Sequence, residues 1–530
     1  IPVEDSVQNY KLLESSQNET HTTIKFSRTW NTCDRKHDVT IVNDTMRVMW
    51  TMSDDDPGIF SSWAGLVWHG NKGIHIGSPS RIPIGRNDKF WDVTAQDFLL
   101  NGDSHTVYWC KIYKVPPLET KQHIIGYKPL IQRGHETLLQ RMVLYECLGS
   151  SKFEQYGSHE GSECHSSSVP KDWEACVTPI VAWSIGSQGE FYPESFGLPM
   201  AEGEGKSTYF MLEIHYDNPT YSTVRDNSGL RIYYTDKLRP HDGGMFVTGI
   251  AVAPTHIIPP LQRSFISNGY CDNQCTNLMF PQSGINVASV VFHSHGAGRQ
   301  MRLRHIREGK ELPVIAQDMQ YDPTYQQSRR ISEGTIIMPG DDVITECQYN
   351  TSNRAKLTVG GYSTSQETCT SYILYYPRMG LAGCTSMTPV DFFFQTFGIK
   401  EFYNHKMDDI EESLLKHTNE ASQKPSSKPM QKLFFRFSEK EGFNMDLNKH
   451  SGSILKAMAE MNRDEEDENV FSKLIIHKPD EFQNKSFMEH LRDLPWAEKI
   501  FTQSVEEIIH NGKYRTFCKL QNNSPAMVRI

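Results

Sequence analysis

Long hydrophobic runs are what this 530-residue sequence most plainly lacks. A membrane-spanning helix needs about 18 or more consecutive apolar residues, and VTPIVAWSI, at 177–185, reaches half of that and reads as a buried strand. No transmembrane segment is read. A basic excess is missing too: 54 Lys and Arg stand against 64 Asp and Glu, for a net charge of −10 and a pI near 6.1. That balance argues against a nucleic-acid partner or an anionic membrane surface. There is no G-x-S-x-G elbow, H-E-x-x-H, P-loop or Rossmann glycine fingerprint, so serine hydrolase, zincin, nucleotide enzyme and dehydrogenase all lose support. Paired C-x-x-C knuckles are absent, which argues against zinc ribbons. No secretory signal is read at IPVEDSVQNY, and the first residue is not Met, so compartment is not decided there.

What is present is ordinary for folded protein. Hydrophobic residues make up 38% and charged residues 22%, with a mean hydropathy of −0.53 that implies a polar surface. The length is enough for about three or four domains. Eleven cysteines lie mostly between 110 and 384, in strand-like settings such as VYWCKIY, LYECLGS and ITECQYN. This usage fits disulfides that staple sheets, and the odd count leaves one thiol free or bridged to another chain, so a homo-oligomer stays open. N-x-S/T sequons at Asn18, Asn43, Asn350, Asn484 and Asn522 are compatible with a glycosylated surface. Together these features place the chain in the secretory pathway, either in an ER or vesicle lumen or outside the cell.

From about 20 to 395 short alternating or apolar runs recur, among them HTTIKFSRTW, TMRVMWTM, STYFMLEIHYDN, SGLRIYYT, FVTGIAVAPT, INVASVVFHSH and RAKLTVGGYS. Gly, Pro, Asn and Asp separate them, as in antiparallel sandwiches. GTIIMPGDDVITECQYN (334–350) reads as strand, turn, strand, and DKLRPHD (236–242) as a join between two sandwiches. Beyond about 395, MDDIEESLLKHTNE, GSILKAMAEMNRDEEDENVF and SVEEIIHNG carry helical spacing, and RDEEDE (463–468) reads as a solvated face.

One motif stands out for chemistry. In VVFHSHGAGRQ (290–300), His293 and His295 follow a strand-like run, and a side-chain period of two would put both on one face, able to share a metal ion. With 21 histidines in the chain such a pair arises by chance, so it needs corroboration. His215, in YFMLEIHYDNPT, would end a strand near its rim and by itself reads as a core histidine. His135 is isolated and reads as structural; Tyr108, in HTVYWCKIY, reads by default as a packed aromatic.

The segments NTCD, YWC, QRGHETLL, VAWSIG, LEIHYDNPTY, DNSGLRIYYT, HSHGAGR, PGDDVITECQYNT, VGGYSTSQETC and YYPR resemble, in order and spacing, the copper type II ascorbate-dependent monooxygenases, the dopamine β-hydroxylase-like and peptidylglycine-hydroxylating group. The resemblance covers about 15–390. It implies a mainly β fold: two jelly-roll-type antiparallel β-sandwich domains forming a copper monooxygenase core, preceded by a partial DOMON-type β segment and followed by a helix-containing, divergent C-terminal region. The expected units are 1–85, 86–240, 241–395 and 396–530. It further implies two coppers facing each other across a wet cleft, with ascorbate as electron donor and O2 and a small-molecule or peptide substrate as partners. One copper, held by an adjacent His-His pair and a later His, relays electrons; the other, held by His-x-His and a Met, binds oxygen and hydroxylates a C–H bond.

Residue by residue, the resemblance makes His293 and His295 oxygen-side ligands, with His293 also catalytic. It makes His215 the later relay-side ligand and Tyr108 an active-site residue. It pairs Cys110–Cys164, Cys147–Cys176, Cys271–Cys384, Cys347–Cys369 and Cys275–Cys518, leaving Cys33 over. The departures fall on the ligands themselves. Gln140 and Arg141 occupy the His-His positions, and Thr368 stands where the thioether belongs. Arginine offers copper no lone pair and carries a repelling charge, and a hydroxyl is a poorer Cu(I) ligand than a thioether. Fewer or weaker coppers than two are therefore expected. Three functions follow: a copper monooxygenase, a secreted pseudoenzyme with the family fold, and a binding module that uses the old cleft.

Overall fold

The computed structural model describes residues 7–52, 68–77, 89–148, 152–164, 169–200, 209–411, 470–521 and 525–527. Its architecture is set by β-branched and aromatic runs that are buried on both faces. Such runs can only be inner strands, covered by a second sheet on each side.

The first sandwich has an inner sheet built on β1 (Thr106–Lys114), β2 (Leu139–Cys147), β3 (Cys176–Ser184) and β4 (Tyr209–Asp217), in the order β1-β4-β2-β3 with the short strand Ser162–Glu163 at one edge. One face, including Trp109, Leu144, Phe210, Leu212 and Ile214, packs on an outer sheet that contains Gln122–Leu130 and Gly229–Thr235. The second sandwich repeats the plan. Its inner sheet runs through Arg329–Arg330, β6 (Ile285–His293), β7 (Thr370–Tyr376), β5 (Gly244–Ile250), β8 (Leu381–Met387) and β9 (Arg515–Leu520). Phe246, Phe292 and Ile373 of that sheet pack on a four-stranded outer sheet through Phe265, Leu303 and Val343. The two inner sheets then face each other, with Val291 and Tyr372 joining the first core.

All five implied disulfides form, and Cys33 is an exposed free thiol. Cys275–Cys518 closes 243 residues of sequence and fixes β9 to the second sandwich. The expected strands are present, except that RAKLTVGGYS yields only Thr358–Val359. The N-terminal segment forms two hairpins, Lys11–Gln17 with Thr22–Ser27 and Met46–Met52 with Trp68–Ile74. The second hairpin docks on the C-terminal sandwich: Thr45 Oγ1 donates to Asp318 at 2.7 Å, and Arg47 pairs with Asp322 at 2.7 Å.

In the C-terminal region the described helices are Val470–Lys473, Phe487–Asp493 and Lys499–Asn511, so SVEEIIHNG is helical up to Asn511. Ser486 and Glu489 close a capping box that starts the middle one. MDDIE begins a helix at 407–411, and most of the two other expected helices, with RDEEDE, lies outside the described residues. No helix among the described residues is long and apolar enough to cross a membrane.

Candidate metal centre

Strand register decides what meets in the site. Across the first inner sheet His215 of β4 lies between Tyr108 of β1 and Arg141 of β2. With a side-chain period of two, Glu213, two residues earlier, points to the same face. His215 therefore has a strand on each side and lies two residues before its own strand ends at Asp217, near the strand end that the sequence suggested. Its ring stacks on Tyr108 at 4.1 Å between centroids. Across the second inner sheet the corresponding row is His293, Thr370, Gly249, Thr385 and Phe517.

The His-x-His motif differs from its sequence reading in one respect. Strand β6 ends at His293, so His295 lies in the turn beyond it. The cause is Glu367, fully buried, whose carboxylate takes the backbone N–H of His295 at 3.0 Å, that of Ala297 at 2.5 Å and the hydroxyl of Ser294 at 3.0 Å. These bonds fold the chain back, and the two rings still meet, 5.2 Å apart.

Each ring is held through Nδ1, His293 by the Gln326 side-chain oxygen at 2.8 Å and His295 by the Gln366 carbonyl at 2.9 Å. These acceptors place the proton on Nδ1, leaving a lone pair on each Nε2. Both Nε2 atoms are buried and make no hydrogen bond, as does the hydroxyl of Thr368. Burial, aided by the charge of Arg141, keeps both imidazoles neutral: His295 is lowered to about 4, and His293 well below its ordinary value. Two neutral imidazoles with orphaned, buried lone pairs fit a copper ion, and an unpartnered polar atom in such a place otherwise carries a desolvation cost.

The relay side offers no such set. The Nη2 atom of Arg141 donates to Glu213 at 2.9 Å and its Nη1 to the Tyr372 hydroxyl at 3.1 Å, while Gln140 reaches Asp217 at 3.4 Å. The guanidinium is thus part of a buried ion pair that fills the place of the expected His-His ligands, with its charge largely balanced by Glu213. The ring of His215 comes within 6.0 Å of that of His295. Among the described residues, the clusters whose three ligand atoms lie within 4.8 Å of one another are Cys271–Cys275–Cys384 and Cys110–Cys164–Glu213, and their cysteines are all in disulfides.

The cleft implied by the resemblance is bridged at several points. Besides Arg141–Tyr372, the Tyr108 hydroxyl donates to the Tyr362 carbonyl at 2.8 Å, and Thr364 donates to Asp217 at 3.1 Å. Burial raises the Tyr108 phenol well above its usual range, so it stays a neutral donor. Between the sheets a cavity of about 390 Å³ remains, reaching from Tyr108 and Thr368 to Phe517 and Lys519.

Comparison with known proteins bears on this arrangement. The chain is 37% identical over 539 aligned residues to MOXD1 homolog 1 of Drosophila melanogaster, covering 99% of this chain and 74% of the fly protein. The chain belongs to the copper type II ascorbate-dependent monooxygenase family. The model of the family's N-terminal domain matches residues 91–223, that of its C-terminal domain 241–397, and a DOMON domain model 1–53. It is 39% identical to DBH-like monooxygenase protein 1 of Homo sapiens over 75% of this chain, and 33% identical to dopamine beta-hydroxylase of Canis lupus familiaris over 72%. The chain spans 65% of the human protein's length and 61% of the dog protein's.

Sequence reasoning missed Glu213, Gln326, Tyr372 and Lys519. Only Glu213 had a signal, lying one strand period before His215 in LEIHYDN. The others reach the site through tertiary contacts across 33 to 231 positions or, for Lys519, from outside the matched core.

Proposed function

We propose that this chain is a copper protein of the secretory pathway that keeps a single copper, on His293 and His295, and has the Arg141–Glu213 ion pair where a relay copper would sit. The contrast between the two sides carries this reading: two orphaned Nε2 atoms on one, and on the other a guanidinium whose charge is paired with Glu213. A copper held there would cycle between Cu(I) and Cu(II) with ascorbate and O2. This chain's residues do the rest. Gln326 and the Gln366 carbonyl orient the two rings, Glu367 shapes the turn, and Tyr108 packs His215 in place. Without a second copper to relay electrons, this arrangement favours a pseudoenzyme or cleft-binding role over two-copper hydroxylation.

A second reading has its own support. The cavity beside Tyr108 and Thr368 leaves room for a small or peptidic substrate, as a copper- and ascorbate-dependent monooxygenase acting on a C–H bond with O2 would require. Anaerobic copper reconstitution followed by ascorbate-dependent oxygen uptake separates the two. One copper per chain, lost in His293→Ala, with no coupled uptake supports the first. Two tightly bound coppers with coupled uptake overturn it.

A further inference from the structure

The interdomain cavity has a wall that copper chemistry does not use. Its residues come from the C-terminal strand β9, beyond the segment matched by the family's domain models. The period of two places Cys518 toward the core, where it bonds Cys275, and turns Phe517 and Lys519 to the other face, into the cavity. Lys519 lies opposite Gly383, which in turn lies opposite Val247. A side chain at Gly383 would begin 3.2 Å from Val247 Cγ1 and 4.0 Å from Lys519 Cβ, so the bare glycine leaves the space beside the lysine open.

The Lys519 side chain, partly exposed at the cavity, makes no hydrogen bond or ion pair with a described residue. Desolvation lowers its pKa, and the charge of Glu174, also on the cavity wall, opposes that shift. The cavity's other cation, Arg141, is already held by Glu213. The walls between them are aromatic, with Tyr145, Trp173, Tyr372 and Phe517. An ammonium partly withdrawn from water gains from an anion that reaches it. The cavity volume suits a ligand about the size of one substituted ring.

We propose that this cavity binds a small aromatic carboxylate, with Lys519 pairing its carboxyl group and the tyrosine and tryptophan walls holding its ring. The cavity is the one the second reading fills with substrate, so the proposal names a ligand class for that same site; titration of the metal-free chain tests it apart from copper turnover.

The test is calorimetric titration of the metal-free full chain with 4-hydroxyphenylacetate and with tyramine, which has the same ring but an amine in place of the carboxylate. Saturable binding of the carboxylate, at least tenfold tighter than tyramine, is the expected result. Lys519→Met should weaken it at least tenfold, Lys519→Arg should retain it, and Glu174→Gln should strengthen it by removing the competing acid. If Lys519→Met fails to fold, the Lys519→Arg and Glu174→Gln pair still decides. No saturable carboxylate binding by the folded wild-type chain, tighter binding of tyramine, or unchanged affinity in folded Lys519→Met would each overturn the proposal.

Discussion

Arg141 and Glu213 lie on neighbouring strands of one sheet, joined by a 2.9 Å ion pair in which both side chains are buried. Burying both charges has a desolvation cost, and the mutual attraction offsets it only while both partners are present. Removing one leaves an uncompensated buried charge. Arg141→Met should therefore lower unfolding stability by about 3–5 kcal/mol, and the double variant Arg141→Met/Glu213→Leu should recover most of the loss. Denaturant unfolding of the three proteins measures this. A double variant as unstable as the single one would mean that Glu213 is not the group left stranded. The same pair bears on any attempt to rebuild the relay site: Arg141→His with Gln140→His returns imidazoles but also strands Glu213.

Thr368 places a buried hydroxyl with no hydrogen bond where the resemblance expects the oxygen side's third ligand. Thr368→Met removes that unsatisfied group and introduces a thioether, a softer donor that suits Cu(I). Cu(I) affinity, read by competition with a chromophoric chelator, should rise by about tenfold or more, while Cu(II) affinity changes less. Equal gains for both oxidation states would show that the sulfur is not reaching the metal.

Gln326 would act on a copper held by His293 through that ring. Its side-chain oxygen accepts from Nδ1 at 2.8 Å, while its own amide is fixed by the Pro323 carbonyl at 2.9 Å and its backbone N–H by the Ile185 carbonyl at 2.9 Å. Loss of such an outer partner typically lowers metal affinity by about 10- to 100-fold. Gln326→Leu should do so with the melting temperature of the metal-free protein little changed. A parallel fall in melting temperature would assign the residue to the fold alone.

The sequence was most informative where local periodicity and identity coincide. β6, β4 and β5 are legible as alternating runs, and the cysteine pairing followed from a resemblance whose segments keep their spacing. Two features were not legible, for physical reasons. The turn at His295 depends on a carboxylate 72 residues away in sequence, so a reading based on strand period alone extends the strand too far. The bridge across the cleft depends on Arg141 finding Tyr372, 231 residues on, and no single-sequence pattern encodes such a pairing. β9 was hidden in the same way: RTFCKL is too short to stand out, and its pairing with β8 and its bond to Cys275 are both made across more of the sequence than a local pattern spans.

His256 gives the molecule an acid-sensitive element outside the copper site. It is buried, its Nε2 finds no hydrogen bond, its ring centroid lies 5.7 Å from that of Tyr349, and desolvation alone lowers its pKa to about 4. An unfolded chain would titrate this group near the ordinary value of about 6.5. Between those values the unfolded state binds more protons than the folded one, so stability rises with pH. The group therefore costs nothing above about pH 6.5, and its effect grows as pH falls toward 4, reaching roughly 2–3 kcal/mol at pH 4.5. His256→Phe keeps an aromatic ring against Tyr349 and takes no proton. Urea unfolding at pH 7 and at pH 4.5 should show the variant losing less stability than the parent across that interval, by about that amount. Equal losses would mean that His256 is not the group being titrated, and that the acid sensitivity lies elsewhere in the fold.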